Sequence, residues 1–371
     1  MPTNTAAWLD SAFAELAVRP APYTSPTADE IVIRTRAVAV NPLDSVKQVS
    51  GDLMYRWLPY PSVLGEDVAG EVVEVGGGVT RFTPGDRVLG YAVGMEKGRN
   101  HRAEGGFQEY VVLRAKLAAP LPESLGFEDA VVLPLAISTA AAALFQVDQL
   151  GLRHPTVEAP PTGQAIVVWG GSTSVGSNAI QLAVAAGYEV VTTASPRNHD
   201  RMRELGASHV FDYGSPSVVR DVSTALRGTS VAGVFAIGVG SAEPSLAIAI
   251  ATGAKRVCLA SPPVSLDRLP QRTGMSVELV RVGMGMITGN VALQLRSRTH
   301  GIRTRFVWGS TLMDNEVGPM LWEEFLPAAL AEGRYIPAPT AQVVGAGLEQ
   351  VQSALELLRA GVSARKLVVT L

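Results

Sequence analysis

Between Glu30 and about Pro120 the apolar residues fall in short β-branched runs, EIVIRTRAVAV, EDVAGEVVEVG, DRVLGYAV and FQEYVVL, separated by Gly and Pro turns. That texture predicts an all-β module. From about Ala136 the rhythm changes to strand, turn, helix. AIVVW leads to a helix over Val175 to Ala186, EVVTT to one around His199 to Leu205, HVFDY to one around Pro216 to Leu226, and GVFAI to the helical EPSLAIAIA. RVCLAS follows and, past an irregular segment, RFVWGS. Strands alternating with helices at this spacing predict right-handed crossovers and a doubly wound parallel sheet, an α/β fold. The Pro-rich RHPTVEAPPTG ahead of the first of these strands reads as a surface loop. A late helix with apolar Leu348, Val351, Leu355 and Leu358 ends at Gly361 and precedes a final strand, whose natural place is back on the β module. The expected organisation is one domain from 1–135 and 313–371, with 136–312 inserted into it as the second.

At 371 residues the chain exceeds what one core usually supports, which agrees with two domains. Hydrophobic residues make up 47% and charged residues 18%, and the net charge of -3 comes from interspersed signs. Nothing in that pattern offers a polyanion-binding surface, so nucleic acid is not an expected partner. The single cysteine, Cys258, lies in an apolar run and reads as a buried, inert thiol. The five histidines show no close ligand pairing, so no metal is expected. The beginning, MPTNTAAWLDSAFAEL, holds Asp10 and Glu15 and lacks a basic start before an apolar stretch, which reads as no signal peptide and a cytoplasmic location. The uncharged span Ala130 to Val147 contains Pro134, Ser138, Thr139 and four consecutive alanines, and is expected to be a buried helix and not a membrane span.

The chemistry centres on VVWGGSTSVGSNAIQLA, residues 167 to 183. A parallel sheet collects ligands at the carboxyl ends of its strands, where a helix N-terminus offers unpaired N–H groups and partial positive charge to a phosphate. Gly170 and Gly171 let the chain turn tightly, and Gly176 lets helix and strand pack closely. Thr173 and Ser174 stand where a stricter fingerprint has glycine, adding hydroxyls able to donate to a pyrophosphate. Taken alone, a cofactor loop and a plain corner are equally open. The next strand bears on the choice, because an NAD site places an acid about 20 residues on, against the ribose hydroxyls. Here TTASPRNHD brings Ser195 and Arg197, with no carboxylate before Asp200. A hydroxyl and a guanidinium suit a 2'-phosphate, so NADP(H) is the expected cofactor. The alternative is a solvated helix start with Ser195 as its cap.

With these residues assembled, the chain resembles the medium-chain dehydrogenase/reductase superfamily. The matching segments, in the family's order and over nearly the full length, are NPLD at Asn41 to Asp44, LGEDVAGEVVEVG, FTPGDRV, GGFQEYVV, LPLAISTAAAALF, the glycine turn and GVSARKLVV. Zinc-dependent members carry cysteine at the position of Asn41 and GHE where this chain has Gly65-Glu66-Asp67, so the resemblance implies no zinc. The chain is more similar to the zinc-free quinone oxidoreductases and trans-acting enoyl reductases. That branch implies a GroES-like β domain plus a Rossmann domain, with NADPH between them. By the same carry-over the cofactor would be bound by Gly170, Gly171, Ser172, Thr173, Ser174, Val175 and Gly176, with Gly238, Trp308 and Gly309. Ser195, Arg197 and Tyr213 would hold the 2'-phosphate, and Thr139 would face the nicotinamide. Asn41 and Lys47 complete the candidate catalytic set; in some relatives an active-site lysine follows the NP-x-D motif by two residues, whereas Lys47 follows it by three. Each has a structural use as well: Tyr213 closing a strand, Thr139 satisfying its own helix, Lys47 a solvated charge, Asn41 a turn residue before Pro42. Glu66 and Asp67 are read as packing or loop-fixing groups.

The implied reaction is hydride transfer from NADPH to a C=C conjugated to a carbonyl, on a small molecule or an acyl thioester. A quinone acceptor is the close alternative, and a non-catalytic NADPH-binding sensor or structural protein the distant one. In many relatives the edge strand of the Rossmann sheet pairs with its twin, so a homodimer through TRFVWGS is open. The preceding LVRVGMGMITGNVALQLRSRTHG is expected either to cover that edge or to shape the pocket.

Overall fold

The computed structural model describes residues 2–262 and 277–371. They form two compact units, one from residues 2–135 and 321–371 and the other from 136–262 and 277–320.

In the first unit the β-branched runs become strands as expected. β1 (Asn4–Leu9), β2 (Ala17–Ala21), β3 (Glu30–Ala39), β4 (Ser62–Val63), β5 (Asp67–Val75), β6 (Arg87–Tyr91), β7 (Tyr110–Arg114) and β8 (Ala118–Pro120) precede the second unit. β1 and β2, which the polar-looking start of the chain conceals, pair with β4 in a small antiparallel sheet. β3 is the centre of the larger sheet. β5 lies along one side of it, and on the other β7 pairs with its first half and the C-terminal strand with its second. Helix α1 (Pro42–Ser50) follows β3, entered through Asn41 with Pro42 in its first turn.

α2 (Phe127–Ala130) and α3 (Pro134–Phe145) follow, and the chain passes to the second unit at the first turn of α3. The uncharged span is a core helix: Ala136, Ile137 and Ala140 to Phe145 are all buried. The second unit then alternates β9 (Gln164–Trp169), α4 (Ser174–Ala185), β10 (Glu189–Ala194), α5 (His199–Glu204), β11 (His209–Asp212), α6 (Val218–Ala225), β12 (Ser230–Ala236), α7 (Ala242–Thr252), β13 (Arg256–Leu259), α8 (Val277–Thr299) and β14 (Arg303–Phe306). All six strands are parallel in the order β11-β10-β9-β12-β13-β14. Counted from β9 this is 3-2-1-4-5-6, the doubly wound order, with its direction reversing between β9 and β12. Strands covered on both faces need apolar side chains on both, and Val167, Val191, Val234 and Val257 share a core with Leu246 and Ile248 of α7. The expected irregular segment holds α8, which lies against α7 and β14 and sends Leu293 into this core. The side chains of its first turns, 277–283, with 286 and 287, lie outside the described residues, as does the segment 263–276 before it. Cys258 is buried on β13 and its thiol is pushed up by burial, in line with an inert role.

After residue 320 the chain returns to the first unit. β15 (Thr340–Ala346) and β16 (Arg365–Thr370) flank the helix Gln350–Ala360, and β16 pairs antiparallel with Ala37 to Ala39 of β3. Phe235 is wholly buried on β12, one of the two strands at the reversal. Phe235→Ala is expected to cost about 3–5 kcal/mol, read as a lowered denaturant midpoint by fluorescence or circular dichroism.

Candidate functional site

Each unit carries one cluster of candidate residues. In the second unit they gather where the parallel strands end. Gly170 follows β9 with φ +86°, and a Cβ there would press on the carbonyl of Ile237 after β12. The two loops at the reversal therefore touch, which requires a glycine. Gly176 sits in the first turn of α4, where a Cβ would run into the Gly170 carbonyl. Its absence lets the helix N-terminus close onto the loop. Gly238 (φ +99°) has open space where its Cβ would be, and its amide donates to Ser261 Oγ (2.8 Å) after β13.

Thr173 caps α4. Its hydroxyl accepts from the Gly176 amide (3.0 Å) and donates to the Gly170 carbonyl (2.8 Å). The expectation that this hydroxyl would donate to a pyrophosphate is therefore not met: it has one proton, and the turn uses it. The cap leaves the amides of Ser174 and Val175 without an intrahelical acceptor, at the positive end of the helix. A phosphate bound there would meet backbone donors, and the residues present fit a dinucleotide's pyrophosphate.

The neighbouring strand ends bring together two residues 18 apart in sequence. Ser195 follows β10, Tyr213 follows β11, and Ser195 Oγ donates to Tyr213 Oη at 3.3 Å. Tyr213 is 52% exposed, so it does not close the strand by packing into the core. Arg197 is exposed on the turn after Ser195. Asp200 is turned to solvent with Arg203 (2.7 Å), and Asp212 accepts from the Gly214 amide (2.9 Å). His199, which sequence reasoning passed over, braces the same turn through a contact to the Ala194 carbonyl (3.1 Å). On the other side of the reversal, Gly309 packs so closely on α3 that a Cβ would strike the Thr139 hydroxyl. Trp308 immediately precedes it, after β14, and Thr139 is nearly buried.

In the first unit the conspicuous feature is buried charge. Asn41 caps α1 from a buried position, its amide donating to Asp44 Oδ2 (2.6 Å). Its side chain donates to Asp67 Oδ2 (2.8 Å) and Asp44 Oδ2 (3.3 Å) and accepts from Lys366 Nζ. Lys366, on β16, also pairs with Asp67 Oδ2 (2.8 Å), and Asp67 Oδ1 accepts from the Leu135 amide (2.6 Å). Every polar side-chain atom of Asn41 is thus committed within this network. Glu66 is fully buried, accepting from the Tyr91 hydroxyl at 3.3 Å. Lys47 is no solvated charge: its side chain has 0% exposure, and Nζ reaches Asp52 (2.5 Å), the Tyr55 carbonyl (3.1 Å) and the face of Tyr60 (4.4 Å). Lys366 is the member that sequence reasoning missed; its only signal was a basic residue interrupting the alternation of a closing strand.

Burial, and then the charge of Asp67, push the Asp44 carboxyl up to about 7 from 3.8, against the lowering effect of Asn41 and Lys366. Burial likewise raises Glu66, helped by Asp44, Glu96 and Asp67. Among the described residues no three His, Cys, Asp or Glu side chains gather as a metal cage. A carboxyl raised in the native state holds a proton that the unfolded chain has already released. Its contribution to stability is therefore complete below about pH 4 and lost as pH rises through about 7. The difference in denaturant midpoint between wild type and Asp44→Asn is expected to follow that window, with the isosteric amide flattening the wild-type decline.

The resemblances agree with this arrangement. Residues 27–123 match the family described as the alcohol dehydrogenase GroES-like domain. Dehydrogenase pigH of Monascus ruber is 50% identical, with 100% of both chains covered. Trans-enoyl reductase himH of Aspergillus japonicus is 40% identical, covering 99% of this chain and 97% of that one. Among solved structures, an alcohol dehydrogenase superfamily protein from Novosphingobium aromaticivorans has a TM-score of 0.72 at 25% identity, covering 100% of each chain. A doubly wound sheet with a glycine-cornered reversal, a GroES-like β unit and full-length relatives of this kind together make the chain an oxidoreductase of the medium-chain dehydrogenase/reductase superfamily.

Proposed function

We propose that this oxidoreductase uses NADPH, without zinc, to reduce a C=C conjugated to a carbonyl or thioester. The carrying observation is the Ser195 and Tyr213 hydroxyl pair at the ends of β10 and β11, with Arg197 exposed two residues after Ser195, Asp200 paired with Arg203, and Asp212 accepting from the Gly214 amide. A carboxylate at the first of these strand ends would receive ribose hydroxyls and repel a 2'-phosphate. Hydroxyls and a guanidinium do the reverse. When bound, the cofactor supplies a hydride, which is the difficult electronic step.

The chain's own work is to place the reactants and favour the enolate that forms. The α4 amides and the Gly170 corner would hold the pyrophosphate, Ser195, Arg197 and Tyr213 the 2'-phosphate, and Trp308, Gly309 and Thr139 the nicotinamide end. Zinc is disfavoured by donor chemistry. An amide and a carboxyl replace the thiolate and imidazole of zinc-bearing relatives, and both polar atoms of the amide are already hydrogen-bonded. The name of the himH relative favours an enoyl acceptor.

Arg197→Ala is expected to weaken NADPH binding by about 10- to 100-fold, the loss of one or two charge-assisted hydrogen bonds, and to leave NADH binding unchanged. Calorimetry with both nucleotides reads this directly, and equal losses for the two would remove the phosphate assignment. The acceptor is tested by NADPH oxidation in chelator-treated buffer with 2-enoyl thioesters, enals and quinones. Turnover of the enoyl compounds supports the proposal, turnover of quinones alone points to a quinone reductase, and recovery only on adding zinc rejects the metal-free mechanism.

A further inference from the structure

Three carboxyl groups, Asp44 on α1, Glu66 before β5 and Asp67 at its start, are fully buried in the first unit, and Lys366 from β16 is a buried cation bonded to Asp67 and to the Asn41 side chain. Also facing the group are Glu96 and the phenols of Tyr55 and Tyr91. Three negative charges against one positive charge cannot persist in so dry a place. No metal cage is formed among the described residues, so protons are the remaining countercharge.

Hydrogen-bond geometry distinguishes the three carboxyls. Asp67 receives three donors: the Leu135 amide on Oδ1, and Asn41 Nδ2 and Lys366 Nζ on Oδ2. That is the environment of an ionised carboxylate. Asp44 receives both its bonds on Oδ2, and its Oδ1 is buried without a partner. Glu66 receives Tyr91 on Oε1, and its Oε2 is likewise buried without one. A bare oxygen of this kind is far less costly on a neutral acid than on an anion.

We propose that Lys366 is a positioning residue that keeps Asp67 alone ionised, with Asp44 protonated on Oδ1 and Glu66 on Oε2, and that this charge state fixes Asn41 and the first turn of α3. The link to α3 is the Asp67 bond to Leu135, and Thr139 lies one turn further along that helix. The upward displacement of both Asp44 and Glu66 agrees with the assignment. The charge assignment stands independently of the reductase reading; its bearing on turnover rests on that reading.

Infrared difference spectroscopy of the cofactor-free protein at mildly acidic pH tests the charge state. Asp44→Asn and Glu66→Gln are each expected to remove one protonated-carboxyl C=O band. Lys366→Met is expected to add one, as Asp67 takes up a proton in place of its counterion, and Lys366→Arg to add none. Retention of every band in both amide variants overturns the proposal, and so does a Lys366→Met protein that gains no band. If Lys366→Met does not fold, the two amide variants and Lys366→Arg decide the question.

For turnover, Lys366→Met is expected to lower kcat about tenfold with little change in KM, and Lys366→Arg to restore most of it. Unchanged kcat in Lys366→Met beside the expected bands overturns the positioning role. A wild type inactive toward every acceptor overturns the reductase reading, while the infrared assignment is judged on its own bands.

Discussion

Asp67 cannot be buried alone, and much of the first unit is arranged around that constraint. An isolated carboxylate in the interior is unfavourable by far more than one ordinary hydrogen bond returns, so each oxygen needs strong donors. The donors come from three elements: the cap of α1, the first turn of α3 and the C-terminal strand. Each element is thereby held at β5 by charge as well as by apolar packing. Removing one partner would leave the others facing an unbalanced charge, which is why such networks behave as a unit.

The second unit solves a different problem with backbone. Six parallel strands deliver their loops to one edge, and the reversal between β9 and β12 leaves the Gly170 and Ile237 loops in contact there. Thr173 shows how the turn departs from a stricter glycine pattern without losing its purpose. The side chain takes space that a glycine would leave open, but it caps α4 and ties the corner to itself, so the remaining first-turn amides are held in place. The exposed hydroxyls of this edge are instead those of Ser195 and Tyr213 at the ends of β10 and β11, on which the proposed cofactor preference rests.

The architecture was legible wherever periodicity carried it. β9 to β14 and the helices α4 to α7 start and stop within a few residues of the positions that the alternation of apolar runs and turns predicts. The match is clearest at the central strands, which are buried on both faces and almost wholly apolar, whereas α8 falls in a stretch that reads as irregular. β1 and β2 were not legible; AVRPA of β2 has a proline and an arginine and no buried residue at a sheet edge. The glycine corner after β9 could be located from its glycines, and the absence of an acid at the end of β10 from TTASPRNHD, whereas the contact of Ser195 with Tyr213, 18 residues on, could not. The fate of the Thr173 proton could not, because capping is decided by local geometry. Lys47 is the sharper case: a lysine in a short helix reads as solvated, but Asp52, the Tyr55 carbonyl and the face of Tyr60 receive its ammonium in a buried position. Lys366 was invisible for a related reason, as its partners lie about 300 residues earlier in the chain.

That separation bears on how the first unit is completed. β3, β5 and α1 are neighbours in sequence and can associate early, but in that state Asp67 lacks its ammonium and Asn41 its donor. Both arrive only when β16 pairs with Ala37 to Ala39, after the entire second unit has been traversed. Closing so long a loop is opposed by an entropy that grows only slowly with its length, so the insertion itself adds little to the cost. The pairing of Val368 to Thr370 with Ala39 to Ala37 is also what carries Lys366 to Asp67 and Asn41. A strand of similar apolar pattern without a cation at position 366 would leave Asp67 uncompensated, so the contact that completes the sheet is also the one that balances the buried charge.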